Sequence, residues 1–201
     1  NEMLDELNLL DLLLEHLDGF EISGKHIFKK IPSVSSVDIV KKAAEAFREN
    51  DCDSIIALGG GSVIDTAKGI NLMISENTDD IRKLMGVETA HGDMKPLIVI
   101  PTTSGTGSEA TIEAVITDEE RKLKLEFFSN RLLPDLAVLD PRMTFSLPAR
   151  HTASSGVDAL VHAVEAYTGL QKNPLSDNYA LTAVKLIGKY LKSAVQEGDN
   201  V

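Results

Sequence analysis

The stretch from Ser54 to Lys68 limits the possible folds more than any other part of the chain. Ile55, Ile56, Ala57 and Leu58 form a short apolar run, β-branched at its start, with Asp53 and Ser54 before it and Gly59, Gly60 and Gly61 after it. That pattern reads as a buried parallel strand. Ser62 stands where a helix cap belongs, and Val63 to Lys68 opens a helix that should run to about Ser75. A strand, a glycine turn and a helix set bare backbone N–H groups and the positive end of a helix dipole against a phosphate. The stretch matches neither the G-x-G-x-x-G fingerprint nor a P-loop, so on its own it also fits an ordinary strand-to-helix turn.

Further strands and helices follow the same rhythm. Leu4, Leu7, Leu10, Leu14 and Leu17 mark an amphipathic helix over 2–17. Residues 25–31 read as a short strand stopped by Pro32, and Ser36 caps a helix that closes near Glu49. A short helix is expected over 79–85, a buried strand over 97–100, a hairpin pairing 110–117 with 123–128, and another buried strand over 136–139. From Pro148 onward the pattern is helical, with segments from Thr152 to about Thr168 and from about Leu175 to Val195. The expected boundary lies within 141–150, giving an α/β domain over 1–145 and the beginning of a helical domain over 146–201.

Composition narrows the function. A net charge of −11 argues against a nucleic-acid or anionic-membrane surface. No apolar run is long enough to span a bilayer, and the acidic start shows no signal peptide. The single cysteine, Cys52, excludes an internal disulfide framework and fits a reducing cytoplasm; its place beside a strand reads as a small core residue. His16 and His26 read as surface residues, and His91 as part of an exposed loop.

Two further stretches carry chemistry. The strand over 97–100 runs into Pro101-Thr-Thr-Ser-Gly-Thr-Gly-Ser-Glu109, a loop rich in hydroxyls that can meet phosphate and ribose oxygens. Ligands of α/β sheets bind beyond the carboxyl ends of the strands, where both this loop and the glycine turn lie. Asp158 and His162, four apart on one helix, can grip a divalent ion, with Glu165 a turn further on as an orienting group. Mixed oxygen and nitrogen ligation suits Fe²⁺ or Zn²⁺. A plain surface pair is the alternative, but the apolar neighbours Val157, Leu160, Val161 and Val164 predict a helix buried nearly all round.

Taken together, the motifs Gly59-Gly-Gly-Ser-x-x-Asp-x-Ala-Lys68, Pro101 to Glu109, and Gly156-x-Asp-Ala-Leu-x-His-Ala-x-Glu165 resemble the iron-containing (group III) alcohol dehydrogenases, with the butanol and propanediol types nearest in look. The first motif is shared with glycerol dehydrogenases and dehydroquinate-synthase-like lyases; the other two are specific to the family. The resemblance implies a Rossmann-like parallel-sheet nucleotide-binding domain followed by the start of an all-helical metal-binding domain. It implies NAD or NADP as cofactor, Fe²⁺ (alternatively Zn²⁺) as metal, a small alcohol or aldehyde as substrate, and a homo-oligomer. In such an enzyme the metal acts as a Lewis acid on the alcohol oxygen and the nicotinamide accepts the hydride.

Carried over by position, Gly60, Gly61 and Ser62 should meet the pyrophosphate and Asp65 should lie near the nicotinamide side. Thr102, Thr103 and Thr106 should contact the cofactor, Lys124 should reach its ribose, and Met143 should pack near the adenosine or ribose. Asp158 and His162 match the first two metal ligands, but no histidine follows His162 to complete a four-ligand site. The N-terminal strand of the family has no counterpart here, so the sequence reads as an internal portion of such an enzyme. The rival is a truncated, redox-inactive dinucleotide-binding module. Uncovered apolar helix faces are expected around Ala180, Leu181, Val184 and Leu191.

Overall fold

The computed structural model describes residues 9–17, 19, 22–29 and 31–198. The expected helix over 2–17 falls partly outside them; its described part is α1, Leu9–Leu14. The chain packs as two compact units. One comprises residues 1–101 and 108–139, the other residues 102–107 and 140–201.

The first unit is α/β. Its strand β1 (Ile55–Gly59) pairs in parallel with β3 (Leu97–Pro101), which pairs in parallel with β6 (Leu136–Ala137). A second sheet joins β2 (Gly86–Val87), β5 (Leu123–Phe128) and β4 (Glu113–Asp118), with β4 and β5 forming the expected hairpin. Helix α2 (Val37–Glu49) is capped by Ser36, whose hydroxyl accepts from the Ile39 amide at 3.4 Å.

Helix α3 (Gly61–Ser75) is the hub of this unit. Near its start, Val63, Ile64 and Ala67 pack with Ala57, Leu97 and Val99 of the parallel sheet. Further along, Ile70, Leu72 and Met73 join Val40 and Ala44 of α2 and Ile116 and Phe127 of the hairpin. Gly69 allows this approach, since a Cβ there would lie 2.6 Å from the Ile116 side chain. Each large apolar side chain fully buried in this way contributes about 1.5–3 kcal/mol.

Some expectations fail. Among the described residues of 25–31 no strand forms. Gly24–His26 is a single 3₁₀ turn, with the Ser23 amide donating to His26 Nδ1 at 3.2 Å, and residues 27–29 are irregular. The apolar residues there serve packing without pairing, as Ile31 rests against the core beneath β1. The strand over 136–139 shortens to Leu136–Ala137 and is not buried: Leu139 is 70% exposed, because β6 is the edge of its sheet. Cys52 is half-buried rather than part of the core.

The second unit is helical. Helix α4 (Ala149–Thr168) packs on α5 (Pro174–Gln196), whose start is capped by Asn173 accepting from the Leu175 and Ser176 amides at 3.0 and 3.1 Å. Gly156 of α4 sits directly against Leu191 of α5. Ala180 is buried, contrary to expectation, while Leu181 is exposed as expected. No helix among the described residues is long and apolar enough to cross a membrane.

Candidate functional site

At the end of β1, Gly60 caps α3 with extended backbone and no side-chain cap. Ser62 is therefore not the cap that the sequence suggests. Gly61 is already helical, Ser62 lies inside the first turn, and the Ser62 carbonyl accepts from Thr66 Oγ1 at 2.7 Å. The Val63 and Ile64 amides donate to the Gly60 carbonyl at 3.0 and 3.2 Å. The amides of Gly61 and Ser62 precede any intrahelical acceptor, which is the arrangement that receives an anionic oxygen. At Gly59 a Cβ would stand 2.5 Å from Val63 Cγ2, so only glycine lets the strand turn directly into the helix.

Gly59 pairs with Pro101 across β1 and β3, so the glycine turn begins level with the residue that precedes the hydroxyl-rich loop. In that loop Thr102 is buried, Thr103 half-buried and Thr106 exposed. Within the helical unit the loop lies against α4: a Cβ at Gly105 would be 2.7 Å from the Ser155 carbonyl oxygen. Gly107 takes φ +66, a left-handed turn suited to glycine.

One turn beyond the glycines, both oxygens of Asp65 are engaged. Oδ1 accepts from Ser108 Oγ at 2.5 Å and Oδ2 from the Val115 amide at 3.1 Å. Burial raises the Asp65 carboxyl above its usual range, and the bonds from Ser108 and Val115 oppose that. Lys68 is fully buried. Its Nζ donates to the carbonyls of Ser108, Thr111 and Glu113 at 2.7, 2.8 and 2.8 Å, and to Thr111 Oγ1 at 3.2 Å. Burial pushes the ammonium down to about 8, against the nearby carboxylates of Asp65, Glu113 and Glu109. Sequence reasoning quoted Lys68 and Ser108 within motifs but gave them no role. The available signal was the i, i+3 spacing of Asp65 and Lys68, a carboxylate and a lysine on one side of a helix otherwise rich in Val63, Ile64, Ala67 and Ile70.

The remaining candidates divide between the units. Lys124 is exposed on β5, opposite Thr117. Met143 is buried in the 3₁₀ turn Pro141–Met143 of the helical unit. Asp158 and His162 do share one face of α4, with His162 Nε2 3.8 Å from Asp158 Oδ1 and both side chains about half exposed. The expectation of a helix buried nearly all round is corrected. Val157, Val161 and Val164 are 50%, 47% and 48% exposed, because α5 covers one side of α4 and only Gly156 and Ala163 are buried. A carboxylate and an imidazole so placed fit a borderline divalent cation. They supply two ligands, and among the described residues no group of three or more His, Cys, Asp or Glu is placed to hold a metal ion.

Residues 1–141 match the model of the iron-containing alcohol dehydrogenases, and residues 152–201 match the C-terminal model of the same family. The chain belongs to the iron-containing alcohol dehydrogenase family. It is 38% identical over 175 residues to an NAD-dependent methanol dehydrogenase of Bacillus methanolicus, covering 87% of this chain and 46% of the relative. It is 39% identical over 162 residues to a 1,3-propanediol dehydrogenase of Citrobacter freundii, covering 81% and 42%. Among solved structures, a 1,3-propanediol oxidoreductase superposes with a TM-score of 0.89 at 36% identity, covering 95% of this chain and 50% of that one. A sulfoacetaldehyde reductase from Bifidobacterium kashiwanohense, solved with NAD⁺, gives 0.89 at 32% identity, covering 99% and 52%. The chain thus spans about half the length of the relatives it matches.

Proposed function

We propose that this chain carries the dinucleotide-binding unit and part of the metal-binding helical unit of an alcohol oxidoreductase that uses NAD(P) and a divalent metal. The observation that carries this reading is the pairing of Gly59 with Pro101, which sets an uncapped helix start level with the residue that precedes the hydroxyl-rich loop. In this reading the amides of Gly60, Gly61 and Ser62 hold the pyrophosphate. Thr102, Thr103 and Thr106 hold phosphate and ribose oxygens, Asp65 lies toward the nicotinamide, Lys124 reaches the ribose and Met143 packs near the adenosine or ribose. Asp158 and His162 hold the metal. When bound, the metal supplies Lewis-acid polarisation and the nicotinamide supplies hydride chemistry. The chain's own residues bind, orient and neutralise charge.

NAD is favoured over NADP because a relative is named as NAD-dependent, and iron over zinc because the family is. A primary or secondary alcohol, or the matching aldehyde or ketone, is the substrate class. A cytoplasmic setting and a homo-oligomer belong to the same reading.

Calorimetric titration with NAD⁺ and NADP⁺ tests the reading. The wild-type chain binds at least one of them, and Gly61→Asp, which sets a carboxylate against the pyrophosphate, weakens binding at least about tenfold. Binding of neither dinucleotide sinks the proposal. A second reading, a dinucleotide-binding module without redox activity, is favoured by the two-ligand metal set. Alcohol-dependent NAD(P)⁺ reduction by this chain with added Fe²⁺ or Zn²⁺ rejects it.

A further inference from the structure

We propose that Lys68 is a positioning residue for the dinucleotide, acting through the backbone of Ser108 to Glu113 rather than by touching the ligand. The inference rests on the dinucleotide reading above and assigns a determinant of affinity that lies outside the binding set.

The hydroxyl-rich loop has two ends in the α/β unit. Pro101 is fixed by strand pairing with Gly59. Ser108 has no strand to hold it; it opens a 3₁₀ turn, Ser108–Ala110, followed by two residues before β4. Its place is set instead by α3. Lys68 draws in the carbonyls of Ser108, Thr111 and Glu113, while Asp65, three residues earlier on the same helix, takes the donors Ser108 Oγ and the Val115 amide. The ammonium gathers acceptors and the carboxylate gathers donors from one short segment. The helix that does this is the one whose first turn carries Gly61 and Ser62. One rigid element therefore fixes the glycine turn and the far end of the hydroxyl-rich loop.

Stability alone is a poor account of Lys68. A buried cation loses its hydration, and replacing buried ionic groups by well-packed apolar ones is often neutral or stabilising. What the ammonium supplies and a hydrocarbon does not is simultaneous orientation of carbonyls belonging to Ser108, Thr111 and Glu113. Ligand-binding loops held in their bound geometry save the cost of ordering on binding.

The test compares the wild-type chain with Lys68→Met, using calorimetric NAD⁺ binding at a temperature well below both melting transitions and amide hydrogen exchange over residues 108–115. The expected result is an NAD⁺ Kd raised about tenfold in a fully folded variant, with faster exchange confined to that segment. A merely structural role lowers the melting temperature and leaves the Kd of the folded chain unchanged, and that result overturns the proposal. Should Lys68→Met fail to fold, Thr111→Val removes one acceptor and leaves the ammonium in place. A Kd raised about two- to threefold at an unchanged melting temperature then supports the proposal, and wild-type affinity overturns it. Failure of the wild-type chain itself to bind NAD⁺ or NADP⁺ sinks the dinucleotide reading and this inference together. Undiminished binding by the variants sinks the role of Lys68 alone.

Discussion

Gly59 and Pro101 face each other as the last paired residues of two neighbouring parallel strands. The pairing sets the glycine turn after β1 level with Pro101, the last residue of β3, at the carboxyl ends of the strands. Neither residue needs to touch a ligand. The strand register fixes where each loop begins, and the proposed cofactor contacts lie on the loops.

That geometry depends on the missing side chain of Gly59. In Gly59→Ala the new Cβ collides with Val63 at 2.5 Å, and Val63 is itself buried in the core beneath the sheet. The neighbour has little room to move, so we expect a loss of about 1–3 kcal/mol, read as a lower urea midpoint at an unchanged slope. A wild-type midpoint would show that the turn relaxes freely.

Asp118 gives a prediction in acid. Its side chain is fully buried at the end of β4 and accepts from Arg82 Nε at 2.6 Å and Nη2 at 3.2 Å, and from the Arg121 amide at 3.1 Å. The Arg82 bond holds its carboxyl down at about 2, against the opposing effect of burial. The unfolded value is about 3.9. The folded group holds its proton less tightly than the unfolded one, so its contribution is fully present above about pH 4 and is lost as pH falls toward about 2. Wild type should lose stability more steeply across that window than Asp118→Asn in urea titrations. Equal slopes would refute the assignment. At neutral pH, Arg82→Met leaves the buried carboxylate without its main partner and should lower the melting temperature by roughly 5 °C or more.

Much of the fold was legible because burial and periodicity coincide. The run Ile55 to Leu58 was legible as a parallel strand, although β1 lies at the edge of its sheet and is not buried as expected, Ile56 being 40% exposed. The alternation over β4 and β5 could be read from residue types alone, and the helix of Val37–Glu49 announced itself by the Ser36 cap. The failures occur where local pattern and environment part. Residues 25–31 have the composition of a strand but gain burial through Ile31 without a pairing partner. The valines of α4 look like core, yet α5 covers only one side of that helix. At the candidate site the motif residues were legible as types. The engagement of Asp65 and Lys68 with Ser108, Thr111 and Glu113 was not, because it joins residues some forty positions apart and follows no period.

The junction of the two long helices has its own test. Gly156 abuts the Leu191 side chain, and any Cβ at that position enters the space Leu191 fills. Gly156→Val should force α5 away from α4 and cost about 1–3 kcal/mol, seen as loss of helical signal at lower temperature. Leu191→Ala in the same background makes room for the valine and should restore part of the loss. Strict additivity of the two changes would mean that the contact does not govern how the helices pack.

The last prediction concerns the metal. Asp158 and His162 stand 3.8 Å apart and are about half exposed, so they need little rearrangement to bind one cation, but they leave most of its coordination to water or other donors. A two-ligand site of this kind should take up Zn²⁺ or Co²⁺ weakly, releasing it readily to a chelator. His162→Ala and Asp158→Ala should each abolish it, while Glu165→Gln, with no direct ligand role, should weaken it only modestly. Calorimetry with Zn²⁺ and the visible spectrum of bound Co²⁺ measure this. Tight binding that survives His162→Ala would place the metal elsewhere and remove these two residues from the proposed chemistry.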